Sequence, residues 1–224
     1  MTFSIVARCA ETGQFGVAIS SSSPAVAARC AFAQPGIGAV ASQNITNPAL
    51  GPAVLSHLAA GQSAVEAVAQ AISDEAFPDH RQILAVDGTG AAAVHSGENA
   101  LGIWTSAIGT DCAAGGNLLA NDTVPAAMVA EFETATGTLA DRLILAMQAG
   151  LHAGGEAGPV HSAGLLIADK QVWPYAELRC DWTEDCPIAA VARAWEVYKP
   201  QADDYVTRAL NPTEAPSYGV PGDE

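Results

Sequence analysis

The stretch Thr2-Phe3-Ser4-Ile5-Val6-Ala7-Arg8, followed after Glu11-Thr12-Gly13-Gln14 by Phe15-Gly16-Val17-Ala18-Ile19-Ser20-Ser21, decides how the rest of the chain is read. Two runs rich in β-branched and apolar residues flank a short loop of Gly and polar turn formers, the pattern of a β-hairpin. The first strand begins at the second residue, so this end of the chain is expected inside a sheet rather than frayed. A small residue at position 2 favours removal of the initiator Met, which would leave a terminal Thr with a hydroxyl and a free α-amine in one residue. A hydroxyl is a poor nucleophile until a base takes its proton, and Thr served by its own terminal amine is one solution. A free α-amine titrates at about 7.7–8.0, so part of it is unprotonated at neutral pH, as a general base requires. The plainer alternative is a chain end anchored in a strand for structural reasons alone.

Around this hairpin, 224 residues with 50% hydrophobic content supply an ample core, and only 6% aromatics favours closely packed layers of small side chains. A net charge of −15 argues against nucleic acid or an anionic membrane as partner, since both are repelled at long range. No basic-then-apolar leader opens the chain, and no window reaches the roughly 18 apolar residues of a membrane span. The five cysteines are an odd, scattered set without a CxxC pair, so reduced thiols and a cytoplasmic protein are expected. No His/Cys/Asp cluster has metal-ligand spacing, and the Gly-rich stretches match neither a phosphate loop nor a dinucleotide fingerprint; neither metal nor cofactor is expected.

The polar break Ser20-Ser21-Ser22-Ser23-Pro24 leads to a mostly apolar run, 25–31, which counts as a third strand, and 37–43 as a fourth. Asn47-Pro48 opens a helix with Leu50, Val54, Leu55 and Leu58 at helical spacing, stopped by Gly61. Ser63 with Glu66 reads as a capping box for a helix to about Ser73. A hairpin over 82–95, a strand over 103–108, and a Gly-rich polar segment over 109–117 follow. Helices are expected from Asp122, over 139–151 up to Gly154-Gly155, and over 188–210 with a break at Tyr198-Lys199-Pro200. Between the last two lies a hairpin pairing 162–168 with 171–176. One domain is expected over 1–210, with a loosely ordered tail over 211–224. The order of strands, helices, strands, helices, strands and helix fits an α+β fold of two stacked antiparallel sheets with helices outside.

Several stretches, in order, resemble a family of unknown function, domain family 1028, with an N-terminal-nucleophile (Ntn) hydrolase-like fold: residues 2–7, Gly36-Ile37-Gly38-Ala39-Val40-Ala41-Ser42-Gln43, Asn47-Pro48-Ala49-Leu50-Gly51, Arg81-Gln82, Gly115-Gly116-Asn117 and Ala153-Gly154-Gly155. The resemblance spans Thr2 to about Ile188. It implies a four-layer αββα sandwich and, by analogy with Ntn hydrolases, Thr2 at the mouth between the sheets. Where the family pattern runs Ala-Gly-Gly-Asp, then Arg-Gly, then Gln-Ser-Ala, this chain has Gly155-Glu156-Ala157-Gly158-Pro159-Val160-His161-Ser162-Ala163. The Arg is missing and His161 replaces the Gln.

Acyl transfer also needs donors aimed at a developing oxyanion. Asn117 with Gly116 is the first candidate pair and Gln43-Asn44 the second; the alternative is an ordinary turn. Arg81, one of nine basic residues, offers a bidentate fork to a substrate carboxylate or ureido oxygen, or pairs with Asp79 or Asp87. His161 before Ser162 offers a base and a second nucleophile, or a packing residue; Asp181 with Asp185 offers a grip on a terminal ammonium or a metal, on the weak ground of two acids among 24. The expected activity is a cofactor-free amidohydrolase with Thr2 and Asn117 catalytic, acting on a non-peptide C–N bond of a small amide or ureido acid. The alternative is a non-catalytic binding or scaffold protein of the same fold. A homo-oligomer is expected in either case.

Overall fold

The computed structural model describes residues 1–220 and Gly222; the expected tail over 211–224 lies partly outside the described residues. β1 (Thr2–Arg8) and β2 (Phe15–Ser21) form the expected hairpin, in register from Phe3 opposite Ser20 to Arg8 opposite Phe15. Its loop turns at Gly13, whose φ of +77° is costly for any residue with a Cβ. The run 25–31 departs from expectation: it holds a short helix, α1 (Ala27–Cys30), and only at Ala31 does β3 (Ala31–Gln34) begin. A short apolar run does not distinguish strand from helix. Here the Arg29 guanidinium bonds back to the Pro24 and Ala25 carbonyls, which satisfies that backbone locally rather than across a sheet.

β4 (Gly38–Asn44) is followed by α2 (Leu50–Ala59) and α3 (Ala64–Ser73), the latter with its Ser63/Glu66 capping box in place. β5 (Arg81–Asp87), β6 (Ala92–Ser96) and β7 (Ile103–Gly109) come next. The Gly-rich segment is then a strand, β8 (Cys112–Leu119), buried along nearly its whole length. Its composition suits a crowded layer: a Cβ on Gly115 would lie 3.3 Å from Leu84, and one on Gly116 would lie 3.0 Å from the Thr2 carbonyl oxygen. Glycine there lets β8 approach both neighbours, at the cost of the side-chain pattern by which strands are recognised.

α4 (Val124–Thr134) and α5 (Leu139–His152) follow, α5 opening on a second capping box, Thr138 with Asp141. The last hairpin pairs β9 (Ser162–Ala168) with β10 (Ala176–Cys180), so its second strand starts later than expected. Pro174 lacks the N–H a ladder needs, and regular pairing resumes only beyond it. α6 (Pro187–Tyr198) and α7 (Ala202–Leu210) meet at the expected break.

All strand pairs are antiparallel, in a six-stranded sheet of order β10-β9-β2-β1-β8-β7 and a four-stranded sheet of order β3-β4-β5-β6. Period-2 alternation divides the core into layers. Phe3, Ile5 and Ala7 face outward onto α4, α5 and α6; Val6, Val17, Ala39, Ala41, Leu84, Val86 and Ala113 pack between the sheets; Val40, Ile83 and Ala85 face α2 and α3. The architecture is a four-layer αββα sandwich, as the resemblance implied. Among the described residues no helix is long and apolar enough to cross a membrane.

Candidate functional site

Because Phe3 and Ile5 face the helices, Thr2 and Ser4 face the second sheet. Thr2 is 6% exposed, pairs with Asn117 on β8, and lies one step beyond the Phe3–Ser20 pair, beside Ser21. Its Oγ1 donates to the Met1 carbonyl and lies 3.3 Å from Ser21 Oγ, which also donates to that carbonyl. Ser21 Oγ is 2.8 Å from Ser23 Oγ, and Ser23 Oγ accepts from Arg29 Nη2 at 2.8 Å. The run read from sequence as a polar break is thus a chain of hydroxyls leading from a guanidinium to Thr2. The Met1 carbonyl is an acyl group held next to Oγ1, and a hydroxyl already points at its oxygen.

A second set of polar groups crosses between the sheets. Gln43 Nε2 donates to Gln82 Oε1 at 2.8 Å and to the Gly115 carbonyl, while Gln43 Oε1 accepts from Ser4 Oγ at 2.7 Å. Gln82 Nε2 donates to Ser96 Oγ and to the Gly116 carbonyl, and Asn117 Nδ2 donates to Gln82 Oε1 at 3.2 Å. Three amides from three strands therefore bond to one another in a buried ladder, as buried polar groups must. Asn117 pairs with Thr2 and Gly116 lies against the Thr2 carbonyl, while Gln43 reaches Ser4, the next inward-facing residue of β1. Both amide protons of Gln43 nevertheless have protein acceptors, as does one of Asn117, and Gln82, the hub of the ladder, was hidden in the sequence beside the more conspicuous Arg81.

The other residue missed is Glu156. Leu118 sits in the left-handed region at φ +50°, an arrangement that costs a branched residue on the order of 1–2 kcal/mol. That twist turns β8 just past Asn117, so that Leu119 bridges to Glu156. Glu156 is 4% exposed, its Oε2 accepts from the Ser22 N–H at 3.1 Å, and its Oε1 has no hydrogen-bond partner. Burial pushes its carboxyl up to about 7, against the opposing pull of the chain's α-amine and the Ser22 bonds. The sequence offered one signal, the Glu in the position of the family's Asp.

The side chains of the remaining candidates are engaged elsewhere, although Ser162 pairs with Ser21 and the His161 N–H donates to the Ser21 carbonyl. Asn44 and Arg81 are paired one step beyond Gln43 and Gln82, hence on the opposite face of their sheet. Arg81 pairs with Glu75 at 3.0 Å, neither Asp79 nor Asp87, and also donates to the Ile45 carbonyl; Asn44 Nδ2 donates to the His80 carbonyl. His161 Nδ1 is 2.9 Å from the Thr183 carbonyl, with its ring stacked on Trp182 at 4.4 Å. Ser162 Oγ donates to the Ser23 carbonyl and accepts from the Val26 N–H, so the two side chains do not form a nucleophile–base contact. Asp181 is engaged by Arg179 at 2.9 Å. Thr2 lines none of five surface concavities, the most capacious of which, about 550 Å³, lies between α3 and β6. Among the described residues no group of three or more His, Cys, Asp or Glu side chains is placed to hold a metal ion.

A crystal structure of a protein from Silicibacter pomeroyi, itself assigned to DUF1028, superposes with a TM-score of 0.85 at 30% identity, covering 91% of this chain and 89% of that one. Anbu, an ancestral β-subunit from Yersinia bercovieri, aligns over 92% of this chain and 97% of its own, but at 14% identity and a TM-score of 0.37 it carries no argument. Curated proteins give no match. Residues 2–191 match the model of a family of unknown function, DUF1028, and the chain belongs to that family.

Proposed function

We propose that the protein is an amidohydrolase whose nucleophile is the Thr2 hydroxyl, acting on a non-peptide C–N bond of a small amide or ureido acid. The observation that carries this reading is the Met1 carbonyl beside Thr2 Oγ1 with the Ser21 hydroxyl donating to its oxygen. A substrate carbonyl occupying the same place after loss of Met1 would meet a nucleophile and an oxyanion donor together. Thr2 Oγ attacks; the freed amine takes its proton and returns it to the leaving nitrogen; water then releases the acyl group. Asn117 Nδ2 spends one N–H on Gln82, and its other N–H is the second donor this reading assigns to the oxyanion.

The rival, a binding or scaffold protein, is favoured by a different observation. With Met1 in place Thr2 is covered, and both amide protons of Gln43 are already taken. Intact mass spectrometry of the purified protein decides first: Met1 on every molecule removes the base and ends the hydrolase reading. With Thr2 exposed, Thr2→Ala and Ser162→Ala are assayed separately against a panel of amides and ureido acids. Loss confined to Thr2→Ala is the expected result. Turnover unchanged in both assigns the activity elsewhere.

A further inference from the structure

We propose that Glu156 is the positioning residue for the Thr2 α-amine: resting on the hydrolase reading above, it accepts a hydrogen bond from that amine once Met1 is gone. β1 is flanked by β2 and β8. On the β8 side, the backbone of Glu156 bridges Leu119, two residues beyond the partner of Thr2; on the β2 side, its carboxylate reaches the N–H of Ser22, one residue beyond Ser21. Glu156 therefore spans the slot at the head of β1, where the chain enters the sheet.

The state of the carboxylate is the second, independent observation. Glu156 is buried and has one oxygen with nothing to accept from, although a buried carboxylate is tolerated when it is paired and hydrogen-bonded. The charged groups facing it are His161 and the α-amine of Met1, which sits one residue further out than the Thr2 nitrogen and leaves Oε1 without a bond, and it forms no ion pair with Lys or Arg among the described residues. His161 itself leans towards Thr183 and Glu184. A donor arriving from the head of β1 would complete Glu156, and removal of Met1 creates one, because the Thr2 nitrogen changes from a peptide N–H into an amine. Of the two acids read from sequence as a grip on this amine, Asp181 is held by Arg179.

The consequence for the reaction is one of proton placement. When the amine accepts the Oγ proton it becomes an ammonium, and Glu156 holds that ammonium by an N–H···O bond until the proton passes to the leaving nitrogen. No further reagent is needed, and the carboxylate neither gains nor loses a proton in the cycle. An anion close to an amine favours its charged form, typically by 1–3 units within about 4–6 Å.

The test reads the amine directly and needs no substrate. The rate of N-terminal carbamylation by cyanate is followed from pH 5 to 10 by the mass of the N-terminal peptide, in wild type, Glu156→Gln and Glu156→Asp, each checked for folding by near-UV circular dichroism. The midpoint is expected to fall by about one unit in E156Q, with E156D between the two. Equal midpoints in wild type and E156Q, or an E156D midpoint at or below that of E156Q, overturn the proposal while the hydrolase reading stands. Met1 retained on every molecule overturns both.

Discussion

Asp87 and Glu156 are buried carboxylates at opposite ends of the same sandwich, 6% and 4% exposed, and the chain treats them differently. At the Asp87 end, burial would raise the carboxyl, but it is outweighed by Thr89 Oγ1 and the N–H groups of Ala64, Thr89 and Ala91, so the group titrates below its ordinary value. At the Glu156 end burial wins, and one oxygen is left without a donor. The strands between them show the same gradient. On the inter-sheet face β1 passes from Thr2 and Ser4 to Val6, β4 from Gln43 to Ala41 and Ala39, β5 from Gln82 to Leu84 and Val86, and β8 from Asn117 and Gly115 to Ala113. One end is finished as core, while the other keeps a polar lining with one acceptor to spare. Finished structure and unfinished chemistry share four strands.

Four measurements bear on that contrast. Gln82→Met should have the largest effect: it takes the shared acceptor from one N–H each of Gln43 and Asn117 and a donor from the Gly116 carbonyl, and at about 1–3 kcal/mol per buried group left short of a partner roughly 4 kcal/mol should be lost in urea unfolding. A loss under 1 kcal/mol would mean that the ladder is not what joins the sheets at this end. Leu84→Ala, in the apolar half of the same strand, should cost about 3 kcal/mol, since it leaves a cavity in a fully buried layer.

The third test uses pH. The Glu156 carboxyl titrates near 7 when folded and at 4.5 ordinarily, so between these values the native state binds the extra proton. Native stability should therefore fall by about 2 kcal/mol as pH rises from 4.5 to 7, and E156Q should flatten that fall. Asp87 has the opposite sign: its contribution is present above the ordinary value of 3.8 and is lost as pH falls below it. Identical pH profiles for wild type and E156Q from 4.5 to 7 would erase the contrast between the two ends. The smallest effect is expected from Ser63→Ala, which removes the cap of α3 next to Asp87: about 1 kcal/mol by thermal unfolding.

Much of the layering was legible because it is written locally. The Thr2–Ser21 hairpin, the Ser63/Glu66 box and the break at Tyr198-Lys199-Pro200 each need only neighbours in sequence. β8 was not legible, because the glycines that let it fit between β1 and β7 carry no side-chain pattern. The candidate site was half legible. Thr2 and Asn117 could be named, but Gln82 and Glu156 acquire meaning only when β5, β8 and the ends of β1 and β2 converge. Arg81 was conspicuous as a rare cation, yet strand alternation turns it to the other face of the sheet, towards Glu75.

The way β1 enters its sheet also bears on how the protein should be produced. Under the proposed mechanism, an affinity tag fused ahead of Met1 would leave the Thr2 nitrogen locked in an amide, so such a preparation would assay as inert. A tag placed beyond α7, where Leu210 is already exposed, leaves that entrance undisturbed.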